Sequence, residues 1–271
     1  MCEFCVSHGE GKKWYENMTN YSRELFLKVN SDEGLKKFLS RFGQSMQDNI
    51  PRTEDWQKRL PRIYNLLLYP WYTRKQKKDH FGQIVPLEGV ENVLDRVETI
   101  LRLPCICRKV ATGVGKRYCY AVGMDTSHII EDLPDFRDFD KITGAVAKTE
   151  IRDLDKEGMT HSVWTFNTPY IGAICNCDQD CMAYRVQYRS KLAKVMWKGE
   201  YVANIDTDRC RGCKLCRKQC VFDAVNYDPA NAKCTIEITN CYGCGVCRAV
   251  CPEEAITLLP REQVALAANS W

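Results

Sequence analysis

Cys210-Arg-Gly-Cys213-Lys-Leu-Cys216-Arg-Lys-Gln-Cys220 returns 31 residues later as Cys241-Tyr-Gly-Cys244-Gly-Val-Cys247-Arg-Ala-Val-Cys251-Pro252, two copies of the pattern Cys-x2-Cys-x2-Cys-x3-Cys. The repeat reaches beyond the cysteines. Gly212, Arg217 and Ala224 recur as Gly243, Arg248 and Ala255, and Ile205, five residues before the first run, recurs as Ile236. Such a repeat reads as one supersecondary unit used twice, with the copies packed into one small core. The short spacers keep backbone N–H groups within reach of the sulfurs. Gly212, Gly243 and Gly245 let each loop turn with no Cβ in the way.

A run of this spacing wraps three successive thiolates around one [4Fe–4S] cubane and sends the fourth to the other, and iron in such clusters prefers soft sulfur ligands. The stretch 201–261 resembles a bacterial two-[4Fe–4S] ferredoxin domain. The resemblance implies that Cys210, Cys213, Cys216 and Cys251 hold one cluster, and that Cys241, Cys244, Cys247 and Cys220 hold the other. It also implies single-electron transfer. The sequence departs from that family at Val221, where proline is usual after the fourth cysteine; the second copy keeps Pro252.

Seventeen cysteines among 271 residues, an odd number spread along a long chain, do not form the pattern of a small disulfide scaffold. Metal–thiolate chemistry in a reducing cytoplasm is the expectation, because neither a signal peptide nor a membrane-spanning apolar run is apparent. No Cys-x-x-Cys-His is present to attach haem. The formal charge is +4 with neutral thiols. Each oxidised four-thiolate cluster brings about −2, so the loaded protein is near neutral or slightly acidic, and basicity gives no argument for nucleic acid. The densest basic run, Arg74-Lys-Gln-Lys-Lys78, reads as a solvated helix face, with docking of an acidic redox partner as the alternative.

Working outward, the expected architecture is α+β in three parts: a mainly helical region over 1–104, a mixed region with further cysteines over 105–200, and the ferredoxin-like domain over 201–271. In the first part, Val90, Val93, Leu94, Val97 and Leu101 fall at helical spacing after Pro86, which predicts one helix running to Pro104. The middle part predicts a helix over about 141–156 that ends near Gly158. Two strands follow, 161–166 and 171–174, with a turn at Asn167-Thr-Pro169 between them.

Six cysteines lie at the ends of these elements: Leu103-Pro-Cys105-Ile-Cys107-Arg108, Cys119, and Ile174-Cys175-Asn-Cys177-Asp-Gln-Asp-Cys181. Their spacing fits neither a zinc ribbon nor a ferredoxin half. On extended backbone, each Cys-x-Cys pair presents both thiols to one side. The combination of Pro-Cys-x-Cys-Arg with a later Ile-Cys-Asn-Cys is similar to a family of anaerobe iron–sulfur proteins that also end in a ferredoxin domain. That likeness covers 84–271 and implies no particular reaction. At least one further iron–sulfur cluster is expected here, with zinc and reduced structural or redox-active thiols as the competing readings. Cys2, Cys5 and His8 form a metal-like Cys-x-x-Cys-x-x-His for zinc or another cluster, set against two free thiols on a tail.

Other signals are weaker. Cys234 superposes on Ala203 under the 31-residue shift and reads as a small core residue. Thr112-Gly113-Val-Gly115-Lys116 lacks the context of a phosphate loop and reads as a connector. His80, His128 and His161 read as structural or exposed. Arg108 reads as a surface or ion-pair arginine, or as a group that hydrogen-bonds a cluster sulfide or binds an anionic substrate. The functional expectation is an electron relay between a low-potential donor and a redox enzyme, as a subunit or dedicated partner in a larger assembly. The rivals are an iron–sulfur enzyme with substrate chemistry at the upstream cluster fed by the ferredoxin domain, and a thiol- or zinc-based regulatory or scaffold protein.

Overall fold

The chain is α+β. In the computed structural model, which describes residues 13–268 and 270, helices come first. Helix α1 (Arg23–Val29) and helix α2 (Asp32–Arg59) start at Ser22 and Ser31, whose hydroxyls accept from the N–H groups of Leu25 and Gly34. After a turn at Pro61 and a π-helical stretch (Tyr64–Leu68), helix α3 (Tyr69–Asp79) runs back along α2. The basic run 74–78 lies on α3, largely exposed.

Strand β1 (Gly82–Ile84) and helix α4 (Leu87–Leu94) follow, and here one expectation is corrected. The helix predicted to reach Leu101 stops at Leu94, and residues Thr99–Leu103 form strand β2. Ile100 packs on one face of a sheet while Leu101 and Leu103 pack on the other, an alternation only extended backbone allows. A second correction concerns Cys105 and Cys107. Pro104 ends the strand, Cys105 stands at the N-cap of helix α5 (Ile106–Thr112) and Cys107 lies in its first turn, so this pair is not on extended backbone. Gly113, at φ 75°, closes the helix in the left-handed conformation.

In the middle region the predicted helix and two strands are present at 144–156, 160–165 and 171–177, and three strands that the pattern did not predict join them. Strand β3 (Cys119–Gly123), strand β4 (Asp140–Lys141), helix α6 (Gly144–Lys156), strand β5 (Thr160–Thr165), strand β6 (Ile171–Cys177) and strand β7 (Met196–Trp197) complete a seven-stranded sheet ordered β4-β2-β3-β6-β5-β1-β7. The sheet takes β1 and β2 from before residue 104, and every pairing except β1 with β7 is antiparallel. One face, with Ile100, Tyr120, Val122, Val163 and Ile174, is covered by Val90 and Val93 of α4 and Ala147 and Ile151 of α6. On the other, Leu101, Leu103 and Ala121 meet Leu35 and Leu39 of α2.

In the C-terminal part, strand β8 (Tyr201–Ile205), helix α7 (Leu215–Gln219) and strand β9 (Val225–Asp228) form the first copy of the repeat. Strand β10 (Lys233–Ile236), helix α8 (Val246–Ala249) and strand β11 (Ile256–Pro260) form the second. Both pairings cross between copies: β8 of the first pairs with β11 of the second, and β9 of the first with β10 of the second. The glycines explain how closely the copies interlock. A Cβ on Gly212 would lie 2.0 Å from the Ala232 carbonyl oxygen, and one on Gly243 would lie 2.1 Å from that of Tyr201, the equivalent residue of the other copy. Arg261, fully buried, donates to the carbonyls of Gly199 (2.8 Å), Tyr201 (2.8 Å) and Cys241 (2.6 Å), tying the repeat to the chain leaving β7. No helix among the described residues is long and apolar enough to cross a membrane.

Candidate metal centres

The six upstream cysteines line one cavity of about 110 Å³. Sheet register does most of the gathering. Cys119 on β3 is directly opposite Cys175 on β6, and Cys177 follows two residues along on the same face. Cys105 comes from the N-cap of α5, Cys107 from its first turn, and Cys181 from the loop after β6. Thiol contacts run in a chain from Cys177 to Cys181, Cys105, Cys119 and Cys175. Cys107 closes the ring by facing Cys105, Cys175 and Cys177. Leu103, Ile106, Ala121, Ala173 and Tyr170 supply apolar walls, and His80 is at the edge.

The electrostatics are those of crowded soft ligands. Burial, together with the neighbouring thiols, pushes Cys107 well up, and contacts with Cys105 and its neighbours do the same to Cys119 and Cys181. Contacts from Cys119 and Cys181, helped by Arg108, hold Cys105 down to about 3. One thiolate is thus easy and several together are not, unless a cation joins them. Arg108 is an ion-pair arginine, and it lies inside the protein and not on its surface. It is buried, donates to Asp178 at 2.9 and 3.1 Å, lies over the Tyr118 ring, and directs Nη2 to Cys181 Sγ at 3.6 Å.

Behind the cysteine strand, on the other face of the sheet, buried His161 is bonded through Nδ1 to Asn176 Oδ1 at 2.6 Å, and Asn176 Nδ2 donates to the Tyr118 carbonyl at 2.8 Å. His161 is therefore structural, as expected, and holds the residue between Cys175 and Cys177 in place. His128 is exposed beside Asp32. The connector reading of 112–116 agrees with its lack of regular structure beyond Gly113.

In the C-terminal repeat, Cys220 faces Cys241, Cys244 and Cys247, although it belongs to the first run. Cys210, Cys213 and Cys216 gather around buried Cys234. The segment after Cys251 is drawn to them by ion pairs from Arg211 to Glu253 (3.0 Å) and Arg209 to Glu254 (3.7 Å). Sulfurs accept from backbone N–H groups in matching places: Cys220 from Ala224 and Cys251 from Ala255, both at 3.4 Å. The core reading of Cys234 holds, but its contact with Cys216 Sγ was not visible in the spacing. Val221, the departure from proline, is buried against Trp164 and Ala173 of the sheet, whereas Pro252 is exposed.

The two regions meet. Cys175 of the upstream ring and Cys220 and Cys244 of the C-terminal group border one apolar cluster formed by Trp164, Ala173, Val221, Phe222 and Tyr242. Phe222 and Tyr242 stack with centroids 4.1 Å apart. Among the described residues, no three Cys, His, Asp or Glu side chains close on one point as a single bound ion requires. Around one zinc ion, four sulfurs would lie about 3.8 Å apart. The donor sets among the described residues are all thiol, and in the C-terminal repeat the sulfurs of Cys210, Cys220, Cys241 and Cys251 accept from backbone N–H groups. Cys2, Cys5 and His8 lie outside the described residues. No protein-family model matches the chain, and no curated protein matches it either.

Proposed function

We propose that the chain is an iron–sulfur electron-transfer protein with two [4Fe–4S] clusters in a ferredoxin-like domain at 201–271 and at least one further cluster in the six-thiol cavity. When bound, such clusters take up and release single electrons. The chain's own residues hold them in dry surroundings, direct backbone N–H groups and Arg108 at the sulfurs, and leave Cys213 near the surface as a place of exchange. The observation that carries the relay is the shared apolar cluster between Cys175 and the pair Cys220 and Cys244, because tightly packed contact is what short-range electron transfer needs. A free ferredoxin has no use for the preceding two hundred residues, so we assign them to an entry or exit cluster and to docking in a larger redox assembly. Anaerobic iron and sulfide analysis tests this: about twelve irons per chain supports it, and about eight with six freely alkylated upstream thiols overturns it.

A second reading, substrate chemistry at the upstream centre, is favoured by a groove of about 860 Å³ along α2 that reaches Cys107 and His80. Phe38, Phe42, Trp164 and Phe166 surround the His80 ring at centroid distances of 4.9–5.6 Å. A small ligand such as cyanide, added to the reduced protein, should change only the upstream electron paramagnetic resonance signal if this reading is right. No change would retire it.

A further inference from the structure

The hairpin made by α2 and residues 61–79 carries a group of apolar side chains that stay exposed among the described residues. Leu60 at the end of α2, Ile63 in the turn after Pro61, Leu67 in the π-helical stretch and Trp71 on α3 are 55%, 52%, 61% and 54% exposed. Leu66, at 75%, and Trp56, at 57%, lie beside them. Exposed large apolar side chains gathered along one segment mark an interaction surface. Here Tyr64 alone in residues 60–72 is fully buried. The same stretch is strongly basic: Lys58, Arg59, Arg62, Arg74, Lys75, Lys77 and Lys78 against Asp79 give residues 56–79 a formal charge of +6. Arg59 pairs with Asp55 and Lys75 with Asp79, and no ion pair to the other five cations lies among the described residues.

We propose that this face docks on an anionic membrane surface, with its Leu, Ile and Trp side chains in the headgroup boundary and its lysines and arginines on lipid phosphates. Charge and composition select that occupant. A second copy would bring another +6 against the first. Protein interfaces are depleted in lysine, whereas helices that lie in a bilayer surface combine Lys and Arg with Trp and Leu. Tyr69 and Tyr72, half-buried in the same segment, suit the same boundary. Trp56 also lines the outer end of the groove that reaches Cys107, so docking places that groove at the bilayer.

The test uses the anaerobically purified full chain with vesicles of phosphatidylcholine alone or of phosphatidylcholine with phosphatidylglycerol. The expected result is co-sedimentation with the anionic vesicles, a blue shift in tryptophan emission, and loss of both at high salt. Lys58→Glu with Arg62→Glu should weaken binding by more than about tenfold, since each cation near the surface contributes about fivefold. Leu60→Ser with Ile63→Ser and Leu67→Ser should abolish the emission shift. All five side chains are exposed, so unchanged circular dichroism and iron content show that the fold is kept. Equal, weak sedimentation with both vesicle types overturns the proposal. So does a wild-type dimer in solution that the serine variant dissociates, because the face then belongs to a second copy.

Discussion

Cys119 and Cys175 stand directly opposite each other in the antiparallel ladder between β3 and β6. That single register joins two stretches of sequence more than fifty residues apart into one site. A slip by one residue would turn Cys175 and Cys177 to the face where Ile174 and Asn176 now pack, because side chains alternate along a strand. The register is held from both sides: Ile174 in the core, and Asn176 by His161 and the Tyr118 carbonyl. Three of the six cavity cysteines are therefore placed by the sheet, and Cys105, Cys107 and Cys181 come from the starts of short helices.

Replacing Cys251 with Ala should chiefly damage the cluster held by Cys210, Cys213 and Cys216. Cys251 is distant from them in sequence, but the Arg209–Glu254 and Arg211–Glu253 pairs bring its segment to them. Resonance spectra of the reduced variant would decide. Loss of the cluster at Cys241, Cys244 and Cys247 in its place would show that the ligands do not cross.

Cys234→Ala should leave iron content unchanged and shift the signal of one C-terminal cluster. The residue is buried within the Cys210, Cys213 and Cys216 group and touches Cys216, so it can modulate that sulfur without being needed as a ligand. A fall of about four irons per chain would make it a ligand.

Much of this was legible in the sequence, and the failures have identifiable causes. The 31-residue repeat, α6, and the strands around Asn167-Thr-Pro169 are local patterns and fall within a few residues of where they were expected. The stretch after Leu94 was misread because Val97 and Leu101 continue the helical spacing by coincidence. The signal available was β-branched Thr99 and Ile100, followed by alternation into Leu103. The first-turn placement of Cys107, the contact between Cys234 and Cys216, and the apolar cluster linking Cys175 to Cys220 are long-range packing. No periodicity records them. Val221 is instructive: it looks like a defect in the motif and is the point where the repeat packs on the sheet.

Arg108→Met should cost about 1–3 kcal/mol, since it leaves partly buried Asp178 without its bidentate partner. It should also release the upstream iron before the C-terminal iron under chelator challenge. Adding Asp178→Asn should restore the thermal midpoint but not the iron retention. Recovery of both would mean that Arg108 acts only through its ion pair and that the 3.6 Å approach to Cys181 has no role.

Arg261→Met tests the connection between repeat and sheet. It strips three buried carbonyls, those of Gly199, Tyr201 and Cys241, of their donor. A loss of about 3 kcal/mol is expected, which for a chain of this size lowers the thermal midpoint by roughly 6–12 °C. The C-terminal clusters should become labile at the same time, because the Cys241 carbonyl belongs to a ligand-bearing loop. An unchanged midpoint would show that other contacts hold the repeat in place.

The double substitution Cys107→Ser with Cys177→Ser addresses the upstream centre directly. Cys107 faces Cys105, Cys175 and Cys177 across the cavity, and Cys177 abuts Cys181, so removing both opens the ring at two places and leaves four thiols. Four could still serve a cubane in principle. Cys105, Cys119, Cys175 and Cys181, however, are successive neighbours in the contact chain, so the side of the cavity that Cys107 and Cys177 line would be left without a thiol. Serine keeps the size of the side chain and so limits the packing disturbance, but it is a poor ligand for iron that prefers soft sulfur. Iron should therefore fall by about four per chain, with the C-terminal signals intact. Cys107→Ser alone leaves Cys177 to close one side and should lose less. If neither substitution lowers an initial count of about eight irons, the upstream thiols hold no cluster, and the case for a thiol-based role becomes the stronger one.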